Sequence, residues 1–405
     1  MADPGGVLDG DIDVDVAVIG GGMAGVSIAC ELASTHSVVV LEQEGQLAHH
    51  STGRSAAVFL ESYGSPEVRA LTRASRPLLD AAAVRGGTPL LTPRSLLWIA
   101  APGREEGIAA MLDEQPGLQS ITVAEARTLC PVLRADRVAA VASEPGAQDI
   151  DVAALHQFYL REARRDGVVV LTGSRLAAVA WDGAAWRLDL RGRERTSGQP
   201  LRPSSSSSAA GAVGHTRHAS GEVVARVVVD AAGAWADQVA ALLGARPRGL
   251  EPRRRTIAIG RPQEPLAPSG PLVADVDDTF YFRPDGPHVL VSPADETPSE
   301  PCDARSEEAD VALAIQRVNE VTTLGIRSVV STWAGLRTFA PDRNPVVGYD
   351  PEVSGLFWLA GQGGTGIQMA PALARVAADL LQATDAAAVA LPPGLDLAAI
   401  SPSRL

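Results

Sequence analysis

The chain has 405 residues, of which 46% are hydrophobic, and its formal net charge is −13. This length allows a large hydrophobic core and suggests two or three domains, while the negative charge argues against a nucleic acid as partner. The three cysteines, Cys30, Cys130 and Cys302, are too far apart in sequence for a CxxC site, so we expect neither a disulfide framework nor a bound metal. All 35 basic residues are arginine, which excludes chemistry that needs a lysine amine.

The N-terminal region gives no sign of a targeting or membrane segment. The first fifteen residues are acidic and lack the basic segment of a secretory signal peptide. Residues 16–33 are apolar, but their glycine cluster favours a buried strand followed by a buried helix over a membrane span. We therefore expect a cytoplasmic protein without a transmembrane segment.

The most informative motif is a glycine-rich corner, where an apolar strand runs into the sequence GGGMAG at residues 20–25. In a dinucleotide-binding corner the first glycine permits the tight turn, the second lets the backbone approach a pyrophosphate, and the third lets the helix pack on the strand. Here these are Gly20, Gly22 and Gly25. The next strand ends on Glu42, whose carboxylate can accept hydrogen bonds from a ribose diol. The corner predicts that the chain binds a dinucleotide.

Hydrophobic patterning predicts alternating strands and helices through the first half of the chain. The expected elements are a strand at residues 37–41, a loop at 43–54, helices at 66–83 and 151–166, and strands at 168–171, 176–181 and 186–190. A hairpin turn is expected at residues 182–184. Residues 88–145 mix short strands, helices and prolines, and we expect them to belong to a second domain.

Residues 194–222 differ in composition, with five consecutive serines among prolines, glycines and alanines. This favours a flexible insertion in a hairpin, because the apolar strand 223–229 resumes directly after it. Residues 250–325 contain further strand candidates and a helix at 305–322, as expected for the rest of the second domain.

A second glycine-rich corner lies near the C-terminus. The strand 356–360 runs into GQGGTG at residues 361–366, and a helix follows to about residue 381. Small residues also follow a strand at 230–235, which suits close passage past a dinucleotide. Because a nicotinamide enzyme usually needs one glycine-rich corner, the second favours a longer dinucleotide cofactor.

Together these motifs resemble the FAD-dependent D-amino-acid oxidase superfamily. The first corner, the loop HSTGRSAA at residues 50–57, the turn at 230–235 and the second corner occur there in the same order, and the resemblance covers the chain apart from the serine-rich insertion. Within the superfamily, the chain is most similar to the bacterial D-arginine dehydrogenase branch. The segments that carry this closer similarity are 51–57, 154–160, 332–339 and 361–368.

The resemblance implies a two-domain α/β fold, with a Rossmann-like FAD-binding domain and a substrate domain built on an antiparallel sheet. The FAD-binding domain is expected to be discontinuous, comprising residues 1–87, 146–245 and 326–405 with the flexible insertion at 194–222. The substrate domain is expected to comprise residues 88–145 and 246–325.

The resemblance also implies which residues contact the flavin cofactor. Besides the glycines of the first corner they are Ala24, Glu42, Gln43, Ser51, Thr52, Gly53, Arg54, Ser55, Ala56, Ala57, Arg175, Gly363, Gly364, Thr365, Gly366, Ile367 and Gln368. A helix N-terminus beneath the flavin would stabilise the negative charge that arises when the ring accepts a hydride. Because Cys302 lies outside the C-terminal segment where some sarcosine-oxidase-like enzymes attach flavin, we expect non-covalent FAD.

For the substrate, the resemblance points to a carboxylate clamp. Arg337 matches the arginine that holds the substrate carboxylate in this family, and a guanidinium fork suits bidentate recognition. Gly335 belongs to the same segment. Tyr281 matches a tyrosine at the same carboxylate, Tyr63 matches one on a mobile lid loop, and Arg255 matches a substrate-side arginine. From residue type alone, a surface ion pair or a core tyrosine is the alternative for each.

Two positions depart from the D-arginine dehydrogenases. Val58 stands where those enzymes carry a pocket histidine, and Leu96 stands where they carry the glutamate that pairs with the substrate guanidinium. An unpaired guanidinium in an apolar pocket is penalised, so D-arginine and D-lysine are expected to be poor substrates. Neutral, apolar or cyclic side chains are expected to fit better. Glu61 lies close to Tyr63 in the expected lid loop, and its carboxylate could take the place of the missing glutamate.

The expected reaction is FAD-dependent oxidative deamination of an amino acid, in which a hydride leaves Cα for the flavin and the imine hydrolyses to a 2-oxo acid. Two alternatives stay open. One is oxidation of a secondary amine of the sarcosine or imino-acid type, and the other is a flavoprotein subunit without turnover of its own. The sequence also leaves open the chirality of the substrate and the electron acceptor, which could be oxygen, a quinone or another molecule.

Overall fold

The computed structural model describes residues 12–192 and 221–405. The insertion expected at residues 194–222 therefore lies almost wholly outside the described residues. The strand that follows it begins at Gly221, two residues earlier than the composition suggested.

Strands and helices alternate along the described residues. The strands are β1 (Ile12–Ile19), β2 (Val38–Leu41), β3 (Val58–Phe59), β4 (Leu91–Pro93), β5 (Leu96–Ala100), β6 (Gln119–Ile121), β7 (Ala140–Glu144), β8 (Gln148–Ile150), β9 (Val169–Leu171), β10 (Ser174–Trp181), β11 (Trp186–Gly192), β12 (Gly221–Asp230), β13 (Glu251–Gly260), β14 (Leu272–Asp275), β15 (Tyr281–Asp285), β16 (His288–Ser292), β17 (Thr297–Pro298), β18 (Val329–Phe339), β19 (Val346–Tyr349), β20 (Leu356–Ala360) and β21 (Gln362–Gly363). The α-helices are α1 (Met23–Leu32), α2 (Pro66–Gly86), α3 (Glu105–Glu114), α4 (Val123–Leu129), α5 (Val152–Arg165), α6 (Ala236–Leu242), α7 (Glu308–Val321) and α8 (Gly366–Gln382). The helices and strands predicted from hydrophobic patterning are present within a few residues of their expected bounds.

One sheet, of eight strands within the described ranges, carries both glycine-rich corners. β1 lies between β12 and β2 and is parallel to both, and β12 is also parallel to β20. Buried parallel strands are continuously apolar, as in β2, whose four residues are all buried. Because the carboxyl ends of parallel strands meet at one edge of a sheet, the corners after β1 and β20 and the turn after β12 lie together there. The helices α1 and α8, which start at the two corners, pack against each other.

A second, mainly antiparallel sheet faces that edge. Over the described residues its strand order is β21-β18-β13-β16-β15-β14-β5-β7-β6, with β17 beside β13. β18 pairs with β13 over most of its length, from Glu251 opposite Phe339 to Gly260 opposite Val329. The smaller strands β3, β4 and β8 form a third sheet that links the segments flanking the cavity described below.

The expected domain boundary at residue 326 assigns β18 to the FAD-binding domain, whereas its hydrogen bonds place it in the second sheet. The expected bounds came with the family resemblance, and β18 is followed along the chain by β19 and β20 of the first sheet. The sequence of a strand does not specify which strand it pairs with, so the pairing of β18 with β13 could not be deduced from the sequence. We propose that the substrate domain includes residues 329–339.

None of the described helices is long and apolar enough to cross a membrane.

The last residue of β12, Asp230, is an ionisable group in a completely buried position. Its Oδ1 accepts a hydrogen bond from the backbone N–H of Ala232 at 3.1 Å, whereas its Oδ2 has no partner among the described residues. Burial raises the pKa of this carboxyl group well above its ordinary value, and the neighbouring charge of Asp237 adds to the effect. In the native protein this carboxyl group therefore keeps its proton to a higher pH than an exposed aspartate does.

We expect the substitution Asp230→Asn to stabilise the protein by an amount that grows with pH. The unfolded carboxyl group ionises at about pH 4 and the native one only at higher pH, so unfolding releases a proton across that window. The wild-type free energy of unfolding then falls by up to about 1.4 kcal/mol per pH unit, and the asparagine variant lacks this loss. Its advantage in Tm over the wild type should be larger at about pH 8 than at about pH 5. Asp189→Asn, at an exposed position, is the matched control. An advantage independent of pH would contradict the prediction.

Candidate active site

A large cavity lies between the corner-bearing edge of the first sheet and the face of the second. It is lined by both glycine-rich corners, by the loop after β2, by alternate residues of β5, β13, β14 and β15, and by residues 335–338 of β18. Nearly every residue named above for cofactor or substrate contact lines this cavity. The exceptions are Gly25 and Gly53, which pack against the backbone carbonyls of Gly20 and Ala48 respectively, and Glu61, which is exposed.

The first corner allows a ligand to approach the backbone closely. Gly20 has φ +108°, and a Cβ there would lie 2.5 Å from the carbonyl oxygen of Ala231. A Cβ on Gly25 would lie 1.9 Å from the carbonyl oxygen of Gly20, so α1 can sit against β1 only with glycine at this position. The backbone N–H groups of Gly22 and Ala24, at the start of α1, donate no hydrogen bond to a described residue. With the helix dipole behind them, these groups suit a phosphate.

Glu42 follows β2 at the same edge and is buried. Its Oε2 accepts a hydrogen bond from the backbone N–H of Gly21 at 2.8 Å, and its Oε1 accepts one from that of Glu44 at 2.8 Å. Burial raises the pKa of Glu42, and the two backbone hydrogen bonds oppose that shift. Each carboxylate oxygen has a second lone pair, so the side chain could accept both hydroxyls of a ribose.

The loop after β2 connects the first corner to the second sheet. Thr52 Oγ1 accepts a hydrogen bond from the backbone N–H of Met23 at 3.0 Å. The neighbouring Ser51 hydroxyl donates to the carbonyl oxygen of Leu336, on β18, at 2.5 Å. The loop therefore holds β18 against the start of α1.

The side chain of Arg54 extends this connection. Its Nη1 donates to the carbonyl oxygens of Ala304 at 2.7 Å and Ala334 at 3.1 Å, and its Nη2 forms an ion pair with Asp303. Its own carbonyl oxygen accepts a hydrogen bond from the indole of Trp333 at 2.9 Å. Arg54 thus lines the cavity while its Nη1 and Nη2 groups contact the second sheet and the segment at residues 303–304, and its Nε donates to the carbonyl oxygen of His49 in its own loop.

The second corner brings the start of α8 to the floor of the cavity. Gly363 has φ +55°, a conformation that favours glycine, and a Cβ on Gly364 would lie 2.7 Å from the guanidinium carbon of Arg337. Gln368, in the first turn of α8, is buried and accepts a hydrogen bond from the backbone N–H of Leu60 at 3.0 Å. This corner therefore touches both the arginine of the expected clamp and the lid segment.

These features fit FAD. The first corner offers unpaired N–H groups to a diphosphate, Glu42 offers oxygens to a ribose, and the second corner points a helix N-terminus into the same cavity. None of the three cysteines lines the cavity.

Arg337, on β18, lines the cavity with a guanidinium that forms no ion pair with a described residue, and its Nη1 is buried without a hydrogen-bond partner. Burial opposes the charge, but the phenols of Tyr63 and Tyr281 and the carboxylates of Asp278 and Glu296 outweigh it and raise the pKa of Arg337. A buried, permanently charged fork without a partner is suited to an incoming carboxylate.

Two tyrosines and a second arginine complete this end of the cavity. The Tyr63 hydroxyl donates to Asp278 Oδ2 at 3.2 Å, and burial raises the pKa of the phenol, which keeps it neutral. Arg255 Nε donates to the carbonyl oxygen of Asp295 at 2.9 Å. Its guanidinium lies 6.0 Å from the ring centroid of Tyr281, within the range of a cation–π contact.

Glu144, on β7, fixes the backbone of the segment that carries Tyr63. This buried carboxylate accepts hydrogen bonds from the backbone N–H groups of Glu61 at 2.9 Å and Ser62 at 3.2 Å. The Glu61 residue itself is exposed and does not line the cavity, so it supplies no replacement carboxylate in the pocket. The structure therefore gives no support to the hypothesis that Glu61 replaces the glutamate of the D-arginine dehydrogenases.

The two positions that depart from the D-arginine dehydrogenases also line the cavity, as does Gly335. Leu96 is fully buried and pairs with Leu272 of β14, and Val58 is partly buried. They supply apolar surface at the end of the cavity away from Arg337.

Sequence analysis did not single out several lining residues of the second sheet. They are Trp98, Leu272, Asp278 and Arg283. The indole N–H of Trp98 is buried without a partner, and its ring stacks on Tyr63 at 6.2 Å between centroids. Arg283 could have been found from the two-residue period of a strand, because it lies two positions after Tyr281 and faces the same side. Asp278 lies in a turn, where no such period exists.

The fold and the cavity define a flavoenzyme, with a dinucleotide site at the edge of one sheet and, on the face of the other, a buried arginine that forms no ion pair with a described residue. The family described as "DAO: FAD dependent oxidoreductase" matches residues 15–380, and the chain belongs to this family. It is thus an FAD-dependent oxidoreductase, which confirms the expected superfamily, the FAD cofactor and the oxidoreductase class. The narrower similarity to D-arginine dehydrogenases stays a prediction.

Similar proteins of known sequence include glycine oxidase from Pseudomonas putida, which is 26% identical over 380 residues, or 90% of this chain and 94% of that protein. FAD-dependent oxidoreductase domain-containing protein 1 of Bos taurus is 31% identical over 173 residues. That match covers 38% of this chain and only 35% of the bovine protein.

Solved structures show the same fold. Glycine oxidase from Geobacillus kaustophilus superimposes with a TM-score of 0.78 at 23% identity, covering 97% of this chain and 99% of that one. L-Proline dehydrogenase from P. horikoshii does so with a TM-score of 0.75 at 19% identity, covering 92% and 94%. At these identities the likeness confirms the α/β fold class alone.

Proposed function

We propose that this chain oxidises an α-amino acid, of D configuration by its resemblance to the D-amino-acid oxidase superfamily, at the carbon that bears the amino group. The observation that carries the proposal is the Arg337 guanidinium, which lines the cavity with a buried Nη1 that has no partner. An unpaired buried charge is costly, and a substrate carboxylate would remove that cost.

The protein's part in the reaction is binding and orientation. Arg337 holds the substrate carboxylate, and Tyr281 and Tyr63, beside it, close the clamp and limit rotation of the substrate. Bound FAD supplies the hydride acceptor, and the substrate imine then hydrolyses to a 2-oxo acid and ammonia. Tyr63 sits on a segment that α8 and Glu144 both hold by hydrogen bonds, so it is positioned to exclude water from above the substrate.

The side chain of the substrate occupies the end of the cavity beyond Tyr281. Val58 and Leu96 supply apolar surface there, and no described carboxylate lines that end, so D-arginine and D-lysine should remain poor substrates. Arg283 stands in the same wall and adds a positive charge, which the expectation of a neutral side chain did not include.

The test is anaerobic mixing of the yellow purified protein with D- and L-amino acids, sarcosine and proline, followed by flavin absorbance at about 450 nm. Bleaching by D-amino acids, faster than by their L enantiomers, is the expected result. Bleaching by sarcosine or proline alone would move the function to secondary-amine oxidation. A yellow protein that none of them bleaches would contradict the proposal. Peroxide formation in air then separates an oxidase from a dehydrogenase.

A further inference from the structure

The substrate-side wall of the cavity is a set of rows running across the second sheet. Ala274 pairs with both Trp98 and Tyr281, which forms one row. A second row lies two residues away along each strand. In this row Leu272 pairs with Leu96 and lies next to Arg283. Every residue of both rows lines the cavity.

The rows also order the arginines. Arg255 pairs with Gly335, and Arg337 lies one more two-residue step along β18. The strands β15, β16, β13 and β18 are antiparallel neighbours, so their pairing fixes where each residue lies along the common strand direction. Relative to the row of Tyr281, Arg337 is displaced to one side and Arg283 to the opposite side. The Tyr281 row therefore lies between Arg337 and Arg283 on the cavity wall.

The charge of Arg283 is only partly compensated. Its Nε is buried without a hydrogen-bond partner among the described residues, and its Nη1 lies 3.7 Å from Asp149 Oδ2, beyond ordinary hydrogen-bond length. The same Oδ2 accepts a close hydrogen bond from Arg94 Nε. Two guanidinium groups thus share one carboxylate, and the cluster keeps an excess positive charge at the cavity wall.

The apolar neighbours of Arg283 strengthen the effect of that charge. Leu96 and Leu272 are buried beside it and keep water from solvating the guanidinium fully. The unpartnered indole N–H of Trp98, in the adjacent row, adds another hydrogen-bond donor. Apart from the backbone, this end of the wall offers donors and apolar surface, and no described carboxylate lines it.

We infer that Arg283 binds an acidic group on the substrate side chain, so that the preferred substrates are amino acids with a second carboxylate. This rests on the proposed function, in which Arg337 takes the α-carboxylate. Arg283 then determines specificity, because a neutral side chain of the same size leaves its charge uncompensated.

Pairs of substrates that differ only in charge test the inference. The wild-type holoenzyme should be reduced by D-glutamate with a kcat/KM about tenfold or more above that for D-glutamine, and likewise by D-aspartate over D-asparagine. Arg283→Met should lower kcat/KM for D-glutamate by about 30-fold or more, so that the glutamate-to-glutamine ratio collapses. Arg283→Lys should restore part of the ratio. Arg261→Met, at an exposed position, is the matched control.

Binding of unreactive acids separates this inference from the proposed function. Glutarate should perturb the flavin spectrum at lower concentration than valerate, and Arg283→Met should remove that preference. If no amino acid reduces the flavin but glutarate binding still depends on Arg283, the proposed function fails and the second anion site stands. If neutral D-amino acids reduce the flavin as well as acidic ones, or if the ratios and the glutarate preference survive in Arg283→Met, the inference is wrong and Arg283 serves only the Asp149 cluster.

Discussion

Replacing Arg337 with leucine is expected to lower kcat/KM for the best amino acid substrate by about a thousandfold. The substitution removes the charged partner that we assign to the substrate carboxylate, and it leaves only uncharged donors such as Tyr281 and the neutral phenol of Tyr63 beside that carboxylate. Truncating one member of a buried, hydrogen-bonded charge pair costs about 2–5 kcal/mol, and about 1.4 kcal/mol corresponds to a tenfold change. Most of the loss should appear as a raised KM, because the carboxylate is held before and during reaction.

Arg337→Lys and Arg261→Leu are the controls for that experiment. Lysine keeps the charge but not the fork, so an intermediate loss is expected. Arg261 is exposed and does not line the cavity, so its substitution should leave the kinetics as in the wild type. FAD content is measured in each variant, because Gly364 of the second corner lies against the Arg337 guanidinium. An Arg337→Leu variant with full FAD content and wild-type kcat/KM would refute the carboxylate clamp.

The substitution Gly25→Ala is expected to abolish FAD binding and to destabilise the fold strongly. The added Cβ would lie 1.9 Å from the carbonyl oxygen of Gly20, and neither atom is at the end of a flexible side chain. α1 would have to move away from β1, which would displace the N–H groups of Gly22 and Ala24 and disturb the packing of α1 on α8. Overpacking of a well-packed core costs about 1–3 kcal/mol or more.

The measurements are the ratio of FAD to protein after purification and the Tm with and without added FAD. Gly45→Ala is the matched control, since a Cβ there would have no atom within 4 Å and the residue is not in a left-handed conformation. It should keep wild-type FAD content. A Gly25→Ala protein with full FAD content and unchanged Tm would show that the corner does not need the close approach of α1 to β1.

The parts of the site that the sequence predicted are those whose requirements are local. Gly20 has a positive φ, and a side chain on Gly25 would clash with the carbonyl oxygen of Gly20, five residues earlier. Both requirements arise within one short motif, so the sequence shows them directly. Glu42 was predicted from its spacing after the same motif. The clamp residues Arg337, Tyr281 and Tyr63 came from the resemblance to a family, since an isolated arginine or tyrosine carries no mark of its function.

Other parts of the site depend on strand pairing, which has no local signature. The assignment of β18 to the second sheet follows from its hydrogen bonds to β13, some eighty residues earlier in the chain. Arg283 faces the cavity because β15 pairs with β14 and β16 in one particular register, and a shift by one residue would turn it to the opposite face. Glu61 was a plausible pocket residue by position, yet the fold turns it to solvent and uses Glu144 to hold its backbone instead.

The sequence by itself determined that this protein binds a dinucleotide through two glycine-rich corners, because the backbone conformation or the close contacts at Gly20, Gly25 and Gly363 leave no room for a side chain. The tertiary structure alone decided which charges face the substrate, because the side chains of Arg337, Asp278 and Arg283 are brought to one cavity by long-range pairing of strands. Whether each of these side chains has a hydrogen-bond or ion-pair partner depends on which residues the fold brings next to it. Those neighbours come from distant parts of the chain, so no short stretch of sequence specifies them.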